Sequence, residues 1–315
     1  MQKPIVINGR QILPGESGEI NLSGHRLPTR TIIEIPVHVY RSKNDGPVVL
    51  FMAGVHGDEI NGIEIIRKLM RDRCFDHLLC GSVITIPIIN IVSFLAGTRE
   101  LPDGRDLNRC FPGSTAGSLG SRIAYEMMHE ILPQIDFGFD FHTGGAKINN
   151  YPQLRCVLDD PKNLELSTLF GAPFILNSPC RDKTFRKQAA LKGKSILVYE
   201  GGESLRFNTL AITEGINGCL RIMNNLKMIK TDVPPSKSII LQDTRWLRAK
   251  ISGLFRTTKK YGSFIEKNEV VGTISDPNAE MEVQLKSPAN GYIIGINNQP
   301  VINEGDALIH MGIEK

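Results

Sequence analysis

A chain of 315 residues, 41% hydrophobic and 22% charged, can bury a real core, and its length suggests two domains rather than one. Net charge is only +4, and the Lys and Arg residues are spread out rather than gathered in a run, which excludes an evident nucleic-acid or lipid footprint. Six cysteines without a CxxC pair match no structural zinc motif, residues 1–18 hold no apolar signal segment, and the longest apolar run, 83–96, is broken by Pro87, Asn90 and Ser93. The expectation is a cytoplasmic protein with free thiols and no membrane partner.

Residues 1–45 read as a small N-terminal β segment, with a strand over 31–39 that carries Pro36 at a sheet edge. From Gly46 the pattern becomes strand, loop, helix, repeated. Residues 47–53 form a compact apolar run typical of a buried strand, 54–58 a turn, and Ile60, Ile63, Ile66 and Leu69 recur at helical spacing. Further strands are expected over 82–89, 135–141, 154–158 and 195–199, with helices over 121–132, stopped by Pro133, and over 208–228. Strands alternating with helices predict an α/β fold with a mostly parallel sheet covered on both faces. Pro234-Pro235 marks a boundary, so the catalytic part is assigned to 46–235. Residues 236–315, with short strand-like runs between glycine and Asn/Asp turns, are assigned to a small all-β domain.

Four motifs fall after expected core strands. In Gly54-Val55-His56-Gly57-Asp58-Glu59, an imidazole and a carboxylate three residues apart can aim at one point, although HxxE alone is equally compatible with a polar strand-to-helix turn. In Asp140-Phe141-His142-Thr143-Gly144-Gly145, a histidine ends an apolar strand. The two glycines imply backbone approached closely by another group. His56, Glu59 and His142 all fall at carboxyl ends of strands, where open α/β sheets bind ligands. Three protein ligands leave a fourth position open, the arrangement of a catalytic zinc. Asp106-Leu107-Asn108-Arg109, preceded by Thr98-Arg99, offers a guanidinium fork and an amide donor suited to a carboxylate, though a solvated loop is the commoner meaning of an isolated Asn-Arg pair. In Tyr199-Glu200-Gly201-Gly202, Glu200 ends a strand and can serve as general base. Glu203 is its rival, and reads as an acid opening the next helix.

As a set, HGDE, TR, DLNR, DFHTGG and YEGG occur in the order found in the succinylglutamate desuccinylase/aspartoacylase family, a branch of the zinc carboxypeptidase clan, and the chain resembles that family from about Gly46 to its end. The resemblance implies a zinc-carboxypeptidase-like, mostly parallel or mixed sheet with flanking helices and one zinc ion per chain on His56, Glu59 and His142. It implies Glu200 as the catalytic glutamate, Asn108 and Arg109 as binders of a substrate carboxylate, and Arg99 as the group polarising the scissile carbonyl, with Arg105 the alternative. The C-terminal turns, notably Lys286-Ser287-Pro288-Ala289-Asn290-Gly291-Tyr292, resemble a biotinyl/lipoyl carrier. The stretch 276–281 has no lysine to modify, so a lid over the active site is the better reading. Tyr261 and Tyr292 are noted as residues able to reach the pocket from that domain, although surface or core positions suit them better. The expected activity is zinc-dependent removal of an acyl group from a small N-acyl amino acid. The alternatives are a zinc carboxypeptidase on short peptides, a non-catalytic metal-binding protein, or a modified carrier. Homo-oligomerisation is left open.

Overall fold

The computed structural model describes residues 3–27, 29–145 and 147–313. Its main sheet has thirteen strands. Four central strands run parallel: Ser195–Glu203, Phe137–Gly144, Val48–Ala53 and Ser82–Ile86. Antiparallel strands extend this core on both sides, so the sheet is parallel at its centre and mixed as a whole. On one side Ile32–Arg41 pairs with Ser82–Ile86, and Ser17–Arg26 pairs with Ile32–Arg41. On the other side Ile148–Cys156 joins Ser195–Glu203, and Gly291–Asn297, Ala307–Ile313 and Asp243–Arg248 follow outward. Short returns reverse the chain direction between Ser17–Arg26 and Ile32–Arg41 and between Phe137–Gly144 and Ile148–Cys156. Gly144 and Ile148 face each other across a tight return, and such a return cannot form a parallel crossover.

Burial on two faces explains the apolar run at 47–53. Val49, Phe51 and Ala53 enter one core, while Leu50 and Met52 enter the other, as a period of two demands. The helices Ile60–Arg71 and Thr209–Asn225 cover the first face. The second is covered by Leu119–Glu126, which continues through a wider turn at Met127–Ile131 into a short tight turn at Leu132–Gln134. The buried stripe of Ile60–Arg71 runs through Asn61, Gly62, Ile65, Ile66 and Leu69, rotated from the expected Ile60 and Ile63. Gly62 is the reason: a Cβ there would stand 2.5 Å from Phe141 Cβ, so its absence lets the helix settle on the strand below. Pro36 lies inside Ile32–Arg41 but outside the stretch paired to Ser82–Ile86, where its missing N–H breaks no ladder bond on that side.

Residues from Ile239 onward form strands only, with their own core around Leu247, Phe255, Val271, Ile293 and Ile309. This region is not detached from the rest. Gly295 pairs with Asn150, and Ile239–Leu241 pairs with Phe174–Asn177. No helix among the described residues is long and apolar enough to cross a membrane. The six cysteines are free.

Candidate active site

The strand Val48–Ala53 leaves the sheet at Gly54, whose φ of +65° suits a residue without Cβ and turns the chain into His56 and Glu59. Glu59 is the residue immediately before the helix Ile60–Arg71. His142 lies near the end of the neighbouring strand Phe137–Gly144, and Glu200 is its register partner on Ser195–Glu203. The two strand ends and the turn therefore converge. His56, Glu59 and His142 are all buried, and one ligand atom from each lies within 4.8 Å of the others. His56 Nδ1 stands 2.8 Å from Glu59 Oε1, His142 Nδ1 2.8 Å from Glu59 Oε2, and the two imidazole nitrogens 3.2 Å apart.

The opposite ring nitrogens are also engaged. His56 Nε2 is 3.0 Å from Asp106 Oδ1, and His142 Nε2 is 2.9 Å from Asp140 Oδ2. Each carboxylate favours the tautomer with its proton on Nε2, which leaves the Nδ1 lone pair aimed at the shared point. Arg99 completes the cluster. Its Nη1 is 2.9 Å from Glu59 Oε1, and its Nη2 is 3.0 Å from Asp106 Oδ2. Glu59, Asp106 and Asp140 against Arg99 leave two uncompensated negative charges beside two imidazoles. Protons answer that imbalance in the protein alone. Burial opposes charge on His142, but Asp140 and Glu59 raise its pKa well above the usual imidazole value; His56 is raised against burial by Glu59 and Asp106. Burial likewise opposes ionisation of Glu59, yet the two imidazoles hold it well below the usual carboxylate range. A divalent cation would supply the charge that is missing, and two nitrogens with one carboxylate oxygen form a donor set that zinc accepts. The residues fit a metal.

His56, Glu59, Arg99 and His142 line one side of a cavity of about 240 Å³. Glu200, Asn108 and Arg109 also line it. Asp106 caps the turn Leu107–Arg109 by accepting from Asn108 N at 2.8 Å, and Asn108 Oδ1 accepts from Phe185 N at 3.2 Å, which leaves its Nδ2 as the available donor. Arg105 is exposed beside Asp103 and does not line the cavity, whereas Arg99 does. Glu203 ends the strand instead of opening a helix, and its Oε2 accepts from Asn298. The glycines of YEGG serve packing. A Cβ on Gly201 would stand 2.8 Å from Ala211 Cβ, and one on Gly202, at φ +81°, 2.3 Å from Asn61 Nδ2. Those of DFHTGG are approached as expected, Gly144 by the Ile148 carbonyl and Gly145 by the Arg99 guanidinium.

Several site residues escape the sequence reading. Asp140 was legible, since residues two apart on a strand share a face. Asn150, Arg155 and Trp246 were not, because their places depend on strand pairings far apart in sequence. Trp246 is the C-terminal residue that reaches the cavity. Tyr261 packs on Tyr151, and Tyr292 packs between Phe174 and Phe264; neither lines it.

Residues 45–226 match the sequence model of the succinylglutamate desuccinylase/aspartoacylase catalytic domain. The chain belongs to this family. The N-alpha-acetyl-L-2,4-diaminobutyric acid deacetylase of Halomonas elongata is 30% identical to it over 88% of this chain and 84% of that one. A succinylglutamate desuccinylase of Burkholderia cenocepacia is 41% identical over 24% of this chain and 21% of its own length. Among solved structures, a succinylglutamate desuccinylase/aspartoacylase from Rhodobacter sphaeroides superposes with a TM-score of 0.83 at 26% identity, over 96% of this chain and 98% of that one. The mixed sheet with flanking helices is thus the fold of the desuccinylase/aspartoacylase family. The named relatives are deacylating hydrolases that act on amide bonds.

Proposed function

We propose that the protein is a zinc-dependent deacylase that removes an acyl group from a small N-acyl amino acid. The observation that carries this reading is the buried His56–Glu59–His142 group, short of two positive charges, with Glu200 in register beside His142. His56, Glu59 and His142 would hold the ion. When bound, zinc supplies Lewis acidity and brings the pKa of water from 15.7 to about 7.

The chain's own residues account for the remaining roles. Asn108 Nδ2 and the Arg109 guanidinium face the cavity and suit a substrate carboxylate, which fixes the amide between Arg99 and Glu200. Arg99 directs a guanidinium at oxygen charge developing on the carbonyl; one such donor is typically worth about 100- to 1000-fold in rate. Glu200 takes a proton from the attacking water and returns it to the amide nitrogen as the C–N bond breaks, so the products are a carboxylic acid and a free amine. The cavity volume of about 240 Å³ lies under the roughly 300–1000 Å³ of drug-sized sites, which favours an amino-acid derivative over a peptide. The name of the Halomonas relative makes N-acetylated amino acids the first class to test.

The test is a panel of acetylated and succinylated amino acids, with dipeptides as controls, on zinc-loaded and chelator-treated protein. Metal-dependent release of free amine from the acylated compounds alone is expected. Faster dipeptide cleavage would move the reading to carboxypeptidase, and turnover indifferent to metal would end it. Glu200→Gln is expected to retain zinc and lose activity.

A further inference from the structure

Glu200 is gripped at one oxygen only. Asn150 Nδ2 donates to its Oε2 at 2.6 Å, and Arg155 Nη2 lies 2.8 Å from the same atom. Among the described residues, no side chain donates to Oε1. A carboxylate only accepts, so the Asn150 amide must turn its nitrogen to Glu200 and its Oδ1 the other way. That Oδ1 is buried without a partner and points over Gly295, where a Cβ would stand 2.6 Å from it.

Gly295 belongs to a row that crosses four neighbouring strands. Asn150 pairs with Gly295, Gly295 with His310, and His310 with Trp246. Both ends of the row, Asn150 and Trp246, line the cavity. Between them His310 stacks on Trp246, with ring centroids 4.3 Å apart and planes 2° from parallel. Burial and the positive charge of Arg155 hold the His310 pKa down to about 3, so the ring is neutral. The glycine is the one member of the row that leaves room for the Asn150 amide to face inward.

We propose that Asn150 and Arg155 are positioning residues that lock Glu200 at Oε2 and leave Oε1 as the oxygen that carries the proton. The lock is set from the C-terminal sheet, through Gly295 and the Trp246–His310 pair. Two donors on one oxygen stop rotation of the carboxylate, so a single lone-pair face meets the water. A reacting group misplaced by about 1 Å costs on the order of 100-fold in rate. The inference rests on Glu200 as the proton carrier.

Steady-state kinetics on the zinc-loaded full chain tests it, with the best substrate of the panel. Asn150→Ala and Arg155→Ala are each expected to lower kcat about 100-fold while KM and bound zinc stay at the parent values. Guanidine added to Arg155→Ala should restore part of kcat, as should Arg155→Lys. Gly295→Ala, outside the cavity, should lower kcat about tenfold at unchanged KM. Should truncation unfold the chain, Asn150→Asp keeps the shape and sets a second carboxylate against Oε2, with an equal or larger loss expected. A raised KM with kcat retained would make Arg155 a substrate binder and overturn the lock. Parent kcat in Gly295→Ala would remove the C-terminal contribution. Glu200→Gln, run alongside, separates the two failures. Turnover in that variant defeats the reading of Glu200, whereas its loss together with normal Asn150 and Arg155 variants defeats the lock alone.

Discussion

Asp140→Asn probes the electrostatic logic of the site without touching a proposed ligand. Asp140 is 1% exposed, and its Oδ2 is 2.9 Å from His142 Nε2. The anion favours the proton on Nε2 and leaves Nδ1 free. An amide oxygen can still face that nitrogen, but it carries no charge with which to hold the tautomer. The substitution also moves the cluster from two uncompensated negative charges to one. Replacing a carboxylate behind a ligating histidine typically weakens metal affinity by about 10- to 100-fold, which is about 1.4–2.7 kcal/mol. The upper half of that range is expected, because so deeply buried a pair is little screened by solvent. Asp106, with its side chain 18% exposed and shared with Arg99, should give a smaller loss when changed to Asn. Competition for zinc between the protein and a chromophoric chelator, at one pH, measures both. Unchanged affinity in Asp140→Asn would refute the charge argument, and a larger loss at Asp106 would refute the ranking by burial.

Other expectations follow from the same geometry. Zinc loading should release protons near neutral pH, because His56 and His142 both hold protons more tightly than ordinary imidazole in the metal-free cluster; calorimetry in buffers of different ionisation enthalpy would show it. Trp246→Ala should change the ranking of substrates in the acyl panel more than it changes stability, since the indole is a half-buried wall of the cavity. Gly202→Ala should cost about 1–3 kcal/mol in denaturant unfolding, from left-handed strain and the displaced Asn61 amide, which holds Gly201 O and Asn208 N. His310 has a folded pKa of about 3 against 6.5, so the unfolded chain binds the extra proton and stability falls as pH drops through that window. His310→Phe should remove that loss, a relative gain of about 2 kcal/mol near pH 5 by chemical denaturation.

The sequence made the parallel centre of the fold readable because each inner strand is a mainly apolar run followed by a turn. Val48–Ala53 and Ser82–Ile86 carry no polar side chain to blur them, apart from the buried Ser82 and Thr85. The stretch between them and the C-terminal region was harder. Pro161–Phe170 is not evident in the sequence although Asp160 precedes it, Pro161 opens it and Gly171 follows, the ordinary start and stop signals; its apolar residues form no clear stripe. Ile148–Cys156 begins earlier than expected because Asn149, Asn150 and Gln153 resemble loop residues until Glu200 and Gly295 are seen beside them. The site followed the same rule. His56, Glu59, His142 and Glu200 sit next to glycines at strand ends and announce themselves. Asn150, Arg155 and Trp246 hold their places through pairings between segments about 40 to 150 residues apart, which no local pattern encodes.

Backbone ladders join the residues before and after the diproline, and this limits how the protein can be taken apart. A fragment that stops near residue 235 would strip Ile148–Asn150 of its neighbour Gly291–Asn297, leaving bare amides and carbonyls at the mouth of the cavity. Such a row recruits whatever strand it meets, including the same row on another molecule. Fusions and tags are better joined beyond Ser17–Arg26, at the far side of the sheet, than placed between the two halves.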